Sequence, residues 1–326
     1  MGDAVMSKLR VLLTCSLFAL ATAHGAAAFE GDNTPYPAGS PGSNIAELPP
    51  IPGIFMLEQT SVTGGGALYD NNGERTSIPP FKLHSVANIP RILISYGIHL
   101  PGNGLLYSQI VPPIVFLNTE IFGQKQLARG MANLTLTPLI GSWRPLPNLT
   151  TTVGFDFILP TGAYSASKPS IATGYTTYSP VLALRYDVKD GIDIGASNRL
   201  LINTQDNRTG YQSGNAFVSD FLVAWNIGGF KLGAVGGFLQ QYSDDKVGGV
   251  SVQPGGNRQE TLQVGPNVTY NDVVGHFPLN IQANYQIGVI ARNAVKSNTF
   301  WFNLGIPLYV PQPPPSLPPP AGPAGA

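Results

Sequence analysis

Between residues 53 and 310 the chain alternates apolar and polar residues with a period of two, again and again. Successive side chains of a β-strand point to opposite faces, so each such run predicts a strand with one apolar and one polar face. Six runs are clean. In 261–270, Leu262, Val264, Pro266, Val268 and Tyr270 alternate with Thr261, Gln263, Gly265, Asn267 and Thr269. In 279–289, Leu279, Ile281, Ala283, Tyr285, Ile287 and Val289 alternate with Asn280, Gln282, Asn284, Gln286 and Gly288. The same rhythm runs through 91–100, 149–159, 177–188 and 299–310. Weaker alternation at 54–62, 105–117, 131–143, 192–203, 216–226 and 230–242 brings the expected number of strands to about twelve.

Strand length and loop length then select the class. The runs span roughly ten to fourteen residues, whereas soluble strands usually have about five or six and a tilted membrane strand needs about nine to eleven. Short connections at 101–104, 144–148, 189–191, 227–229 and 271–276 alternate with longer ones at 63–90, 118–130, 160–174, 204–215 and 243–258, while the last, at 293–298, is shorter. Short turns on one side and long loops on the other mark outer-membrane barrels, with the turns periplasmic. In hydrocarbon every backbone N–H and C=O must be paired within the protein, so a spanning sheet has to close on itself. The expected fold is therefore all-β: a transmembrane antiparallel β-barrel of about twelve strands over 53–310. Its apolar face meets outer-membrane lipid, and the aromatics near strand ends (Tyr178, Tyr186, Trp225, Tyr242, Tyr270 and Phe300) are placed to form interfacial girdles.

Composition agrees. Charged residues are 11% of the 326, against about 25% in an average soluble domain. The net charge is zero, which gives no electrostatic argument for a nucleic-acid partner. Lys8 and Arg10 precede an apolar stretch, Val11 to Ala21, that is too short to span a bilayer as a helix and reads as a secretory signal. Cleavage fits after Ala23 or, preferably, after Ala28, which makes 1–28 the leader and removes Cys15, the only cysteine. Residues 29–52 are rich in Pro, Gly and Ser and read as ordered coil or linker; the Pro-rich tail at 311–326 is expected to be extended or disordered, and periplasmic. Either 29–52 or the first loop at 63–90, with its flexible Gly64-Gly65-Gly66, is long enough to fold into the lumen as a plug.

Several short motifs carry a family resemblance: Pro160-Thr161-Gly162-Ala163-Tyr164; Asn207-Arg208-Thr209-Gly210-Tyr211-Gln212-Ser213-Gly214; Gly237-Phe238-Leu239-Gln240-Gln241-Tyr242-Ser243-Asp244-Asp245; and Gly256-Asn257-Arg258 followed by Val264-Gly265-Pro266. In this order and spacing they make 53–310 resemble the outer-membrane family grouped as the meta-pathway of phenol degradation. The resemblance implies a barrel that passes small, often aromatic or hydrophobic, solutes and is inserted by the barrel-assembly machinery. It carries over no catalytic residue. One departure from many barrels is that the last strand ends near Tyr309-Val310, with the Pro-rich tail after it, instead of on a terminal aromatic residue.

A search for reaction chemistry returns little. There is no Gly-x-Ser-x-Gly elbow, phosphate-binding loop or His-Glu-x-x-His. His84, His99 and His276 lie far apart, so no zinc site or other cofactor is expected. Ser95 and His99 share a strand face, but at i and i+4 they are too distant for a hydrogen bond, and an enzyme is not expected. Asn-x-Thr triplets at Asn133, Asn148 and Asn207 have little meaning in an exported bacterial protein. The informative polar residues are charges on expected lumen faces: Arg91, Asp156, Arg185, Asp187, Asp193, Arg199, Asp220 and Arg292. Facing lipid at midplane, an Arg would cost about 2–4 kcal/mol, so the alternation phase places them inside. There they act either as a constriction selecting solutes or as mutually paired charges that fill a narrow lumen. The function expected is passive uptake of a small aromatic or hydrophobic compound. The alternatives are a closed structural or surface-interaction barrel and, third, a lipid hydrolase.

Overall fold

The computed structural model describes residues 29–30, 33–76, 81–121, 123–165, 168–253, 255–274 and 277–311. The leader, most of the Pro-rich tail and His276 fall outside the described residues. In chain order the strands are β1 (Gly53–Tyr69), β2 (Phe81–Leu100), β3 (Gly104–Val111), β4 (Ile114–Ile121), β5 (Gln124–Met131), β6 (Leu134–Leu146), β7 (Leu149–Leu159), β8 (Thr177–Asp187), β9 (Ile192–Asn203), β10 (Tyr211–Gln212), β11 (Ala216–Ile227), β12 (Phe230–Gln241), β13 (Lys246–Val247), β14 (Val250–Ser251), β15 (Glu260–Val274), β16 (Phe277–Arg292) and β17 (Ala294–Tyr309). Strands β10, β13 and β14 form a small separate sheet in the long loops.

The wall is a ring of twelve strands, β1-β2-β3-β6-β7-β8-β9-β11-β12-β15-β16-β17, in which every neighbour is antiparallel. Closure is direct: β1 pairs with β2 from Gly53↔Ser95 to Gly65↔Leu83 and, on its other edge, with β17 from Ile54↔Tyr309 to Tyr69↔Ala294. No edge is left in the ring, which satisfies the backbone within hydrocarbon. Turns such as Leu146↔Leu149 close in two residues, with Asn148 at φ +64°.

Burial is inverted relative to a soluble protein, where large apolar side chains are the ones most often enclosed. On β16, Tyr285, Ile287 and Val289 are 44–48% exposed, while Gln282, Asn284 and Gln286 are at most 3% exposed. On β8, Tyr178, Leu182, Leu184 and Tyr186 face out and Ser179 and Arg185 face in. The apolar outer face is the lipid surface and the polar inner face is the lumen. Outward aromatics meet near strand ends: Phe230 stacks on Tyr270 at 4.9 Å, and Tyr178 meets Phe157 edge-on at 5.9 Å.

Four expected boundaries are corrected. The connection 63–90 is mostly strand, with β1 running to Tyr69 and β2 starting at Phe81, so it is no plug. The connection 118–130 is a hairpin, β4–β5. β4 continues β3 along β2 beyond Pro112-Pro113, where two missing N–H donors break the ladder. The turn at 271–276 shrinks because β15 reaches Val274 and β16 begins at Phe277. The last connection shrinks to Asn293 alone, at φ +45°, whose amide donates to Asn71 Oδ1 and to the Arg258 carbonyl.

Candidate functional site

The lumen is occupied by the protein's own N-terminal segment, which descends along the inner wall from the long-loop end to the short-turn end. At the top, the Phe29 N–H donates to Asp245 Oδ2 (3.1 Å) and the Phe29 ring is buried with Leu201, Ala216, Val218 and Leu239. Asp245 also accepts from the Gly214 N–H, Tyr211 Oη, Gln241 Nε2 and Asn257 Nδ2; burial nonetheless pushes its carboxyl above the ordinary range. In the middle, Asp220 accepts from Tyr36 Oη (2.7 Å) and from the Gly39 N–H (2.6 Å), and Gln286 donates to the Gly39 carbonyl. Ser43 bonds Thr269 and Asn44 donates to Gln282. Lower down, Ile45 packs with Ala183, Leu222, Ala224 and Val235, and Tyr107 Oη donates to the Pro49 carbonyl. The approach is close enough to need glycine in the wall: a Cβ on Gly237 would collide with the backbone of Ala38 and Gly39.

The short-turn end is tied by a charge cluster. Asp193, fully buried, takes two hydrogen bonds from Arg185 (2.9 and 2.8 Å) and one ion pair from Lys231 Nζ at 2.9 Å. Glu47 of the plug joins the same two cations, at 2.6 Å from Arg185 Nη1 and 3.5 Å from Lys231 Nζ. Asp187 lies at the rim, half exposed, 3.3 Å from Arg185. A second cluster sits higher. Arg199 pairs with Asp156 at 2.8 Å and its guanidinium lies over the Tyr36 ring, 3.7 Å from the centroid.

The structure thus gathers the charges expected on lumen faces into two groups, Arg185, Asp187 and Asp193 below and Asp156, Arg199 and Asp220 above, with Arg91 lining the cavity beside the upper one. Arg292 is not among them; it ends β16, pairs with Glu260 at 3.0 Å and is half exposed against the loop at Gly73. Sequence reasoning missed Glu47, Lys231 and Tyr36. Only Glu47 gave any signal, as one of three acids (with Glu30 and Asp32) in a stretch before β1 that carries no Lys or Arg. Ser95 is buried while His99 is exposed, with a register break between them on β2, and no hydrogen bond joins them.

Above the plug, between Arg91 and the long loops, lies a cavity of about 650 Å³. Its floor is Tyr36, Gln59, Arg91, Asp156 and Arg199, and its β2–β4 wall is mostly apolar, with Leu83, Ala87, Ile89, Val115 and Leu117 pointing inward beside Ser85 and Thr119. The size falls within the roughly 300–1,000 Å³ range of small-molecule sites. Here the inner face departs from the polar lumen that strand alternation implied.

A closed twelve-strand barrel, inverted in burial and hollow at one end, defines the class: a β-barrel of the outer-membrane type. Residues 65–304 match the family described as "Putative MetA-pathway of phenol degradation". The chain belongs to that family. Among solved structures it is similar to the COG4313 outer membrane channel from Pseudomonas putida F1, at TM-score 0.68 and 17% identity, covering 82% of this chain and 98% of that one. It also aligns with the transport unit of the autotransporter AIDA-I from Escherichia coli (TM-score 0.44, 14% identity, 78% and 89% covered) and with the CymD monoaromatic hydrocarbon channel (TM-score 0.44, 10% identity, 88% and 98% covered). Comparison with curated sequences finds no match.

Proposed function

We propose that the protein is an outer-membrane channel for passive uptake of small aromatic or hydrophobic compounds, with no catalytic step and no cofactor of its own. The observation that carries this reading is the cavity of about 650 Å³ at the exterior end of the lumen, whose β2–β4 wall presents aliphatic side chains inward. Solute-filled porin lumens are polar; an aliphatic inner wall lowers the free energy of a hydrocarbon solute by roughly 25 cal/mol per Å² of apolar surface removed from water. The solute would rest in this vestibule and pass when the plug shifts, driven only by its gradient. Export is part of the reading: cleavage of the leader after Ala28 would make Phe29 the first residue and set its α-ammonium against Asp245. A strain lacking the gene should take up aromatic acids, phenols or fatty acids more slowly than its parent, and equal uptake of all three classes would overturn the proposal.

One observation favours the closed-barrel alternative, in which the loops are the working surface: the plug is anchored to the wall at the top, middle and bottom of the lumen. Removing residues 29–48 separates the two, since only a channel gains conductance.

A further inference from the structure

The vestibule is apolar along one wall but unbalanced in charge. Its lining includes three cationic side chains, Arg91, Lys168 and Arg199, and one carboxylate, Asp156. That carboxylate is already engaged, by Arg199 at 2.8 Å and by Thr137 Oγ1. The nearby Asp220 is turned to the plug, held by Tyr36 and Gly39. Arg91 takes part in none of the ion pairs formed among the described residues. Its Nε is shielded from solvent with no hydrogen-bond partner. A second donor is left open in the same cavity: Trp301 lines it, is 2% exposed, and its indole Nε1 has no partner. Arg91 as a whole is only partly buried and meets the Asp220 carboxylate beyond ion-pair range; a guanidinium whose Nε is desolvated without a close counter-charge is costly. The arrangement is stable when an anion completes it, and the fork of a guanidinium matches a carboxylate in two parallel hydrogen bonds. Register places apolar surface directly above that fork. Arg91 follows Ile89 two residues on along the inward face of β2, and Ala87 and Leu83 continue the same face, with Val115 and Leu117 beside them on β4.

Building on the uptake reading above, we propose that the vestibule selects amphiphilic monoanions, compounds with one carboxylate on a compact aromatic or aliphatic body. The carboxylate sits on Arg91, and the hydrocarbon lies along Leu83, Ala87, Ile89, Val115 and Leu117. Lys168, exposed at the mouth, adds to the field that draws an anion in.

The test uses the purified full chain in detergent. With Trp143 and Trp225 replaced by Phe, Trp301 remains as the only tryptophan of the three and reports directly on the cavity. Fluorescence titrations compare benzoate with benzyl alcohol, and octanoate with octanol, near neutral pH. Each carboxylate should bind at least tenfold more tightly than its neutral counterpart. Arg91→Gln should abolish that preference, weakening the carboxylates at least tenfold and the alcohols far less, while Arg91→Lys keeps part of it. Equal affinity for acid and alcohol, or a preference that survives Arg91→Gln, overturns the anion assignment and leaves the hydrophobic-uptake reading intact. If none of the four compounds binds the unsubstituted chain, the uptake reading falls as well. Heat-modifiable gel migration of each variant shows that the barrel is closed; should Arg91→Gln fail this check, Arg91→Lys and a titration of the unsubstituted chain with benzylamine, which must bind more weakly than benzoate, decide the question.

Discussion

Substitution of Asp193 probes how the plug is held at the short-turn end. Asp193 neutralises two buried cations at once, Arg185 at 2.8 Å and Lys231 at 2.9 Å, whose side chains are only 3% and 2% exposed. Asp193→Asn keeps the volume but leaves Lys231 to Glu47 alone and Arg185 to Glu47 and Asp187, which are 39% and 44% exposed and so partly screened. Breaking a buried ion pair by removing one partner costs about 3–5 kcal/mol, most of it the stranded charge. If the stranded charge is the cause, removing Lys231, which would keep only Glu47 at 3.5 Å, should restore stability. Asp193→Asn with Lys231→Met leaves Arg185 facing Glu47 and Asp187, and should recover at least about half of the loss, as a coupling energy of roughly 2 kcal/mol. Urea unfolding of the protein in lipid vesicles, followed by fluorescence and gel migration, measures all three variants. The reasoning is refuted if Asp193→Asn costs less than about 1 kcal/mol or if the two substitutions are simply additive.

Other outcomes follow from the same structure. Gly237→Ala should lift the plug from the wall, because its Cβ meets plug backbone that has no rotamer to yield, and a cysteine placed at residue 38 should then react faster with a water-soluble thiol reagent. Asp245→Asn replaces an acceptor of five donors, including the Phe29 N–H, by a group with one oxygen; a loss of about 2–4 kcal/mol is expected, read as proteolysis of the 242–259 loop in the intact barrel. Leu182→Arg, on the lipid face at the middle of β8, should lower folding stability in vesicles by about 2–4 kcal/mol. N-terminal sequencing of the exported chain should begin at Phe29, and a start at His24 would contradict processing after Ala28.

The wall was legible where one face meets lipid and the other meets water. β7, β8 and β16 show close alternation, broken on the outer face of β7 only by Thr151, because charged side chains facing hydrocarbon are costly. The first hairpin was harder to read. Leu83, Ala87 and Ile89 line the vestibule while Ile92 and Ile94 occupy the outer face of the same strand, so apolar residues appear in both phases and Pro90 interrupts the run. β4 and β5 looked like a loop because Asn118, Glu120, Lys125 and Arg129 occupy outer positions. The charges on lumen faces were visible from phase alone, but their grouping was not. Glu47 reaches Arg185 across 138 residues of sequence, and no local pattern records a contact of that span. Arg292 keeps the phase of Gly288 and Ile290, which line the cavity, but it is the last residue of β16 and turns to Glu260 at the loop end, a position that phase alone does not record.

If the N-terminal segment stops the closed barrel, as proposed, small solutes should pass only when that segment moves. Conductance of the purified chain in planar bilayers, with and without residues 29–48, tests it most directly. The intact chain should form a small, infrequently open channel, and the deletion variant a larger, persistently open one. Unchanged conductance in a deletion variant that still migrates as a folded barrel would contradict it.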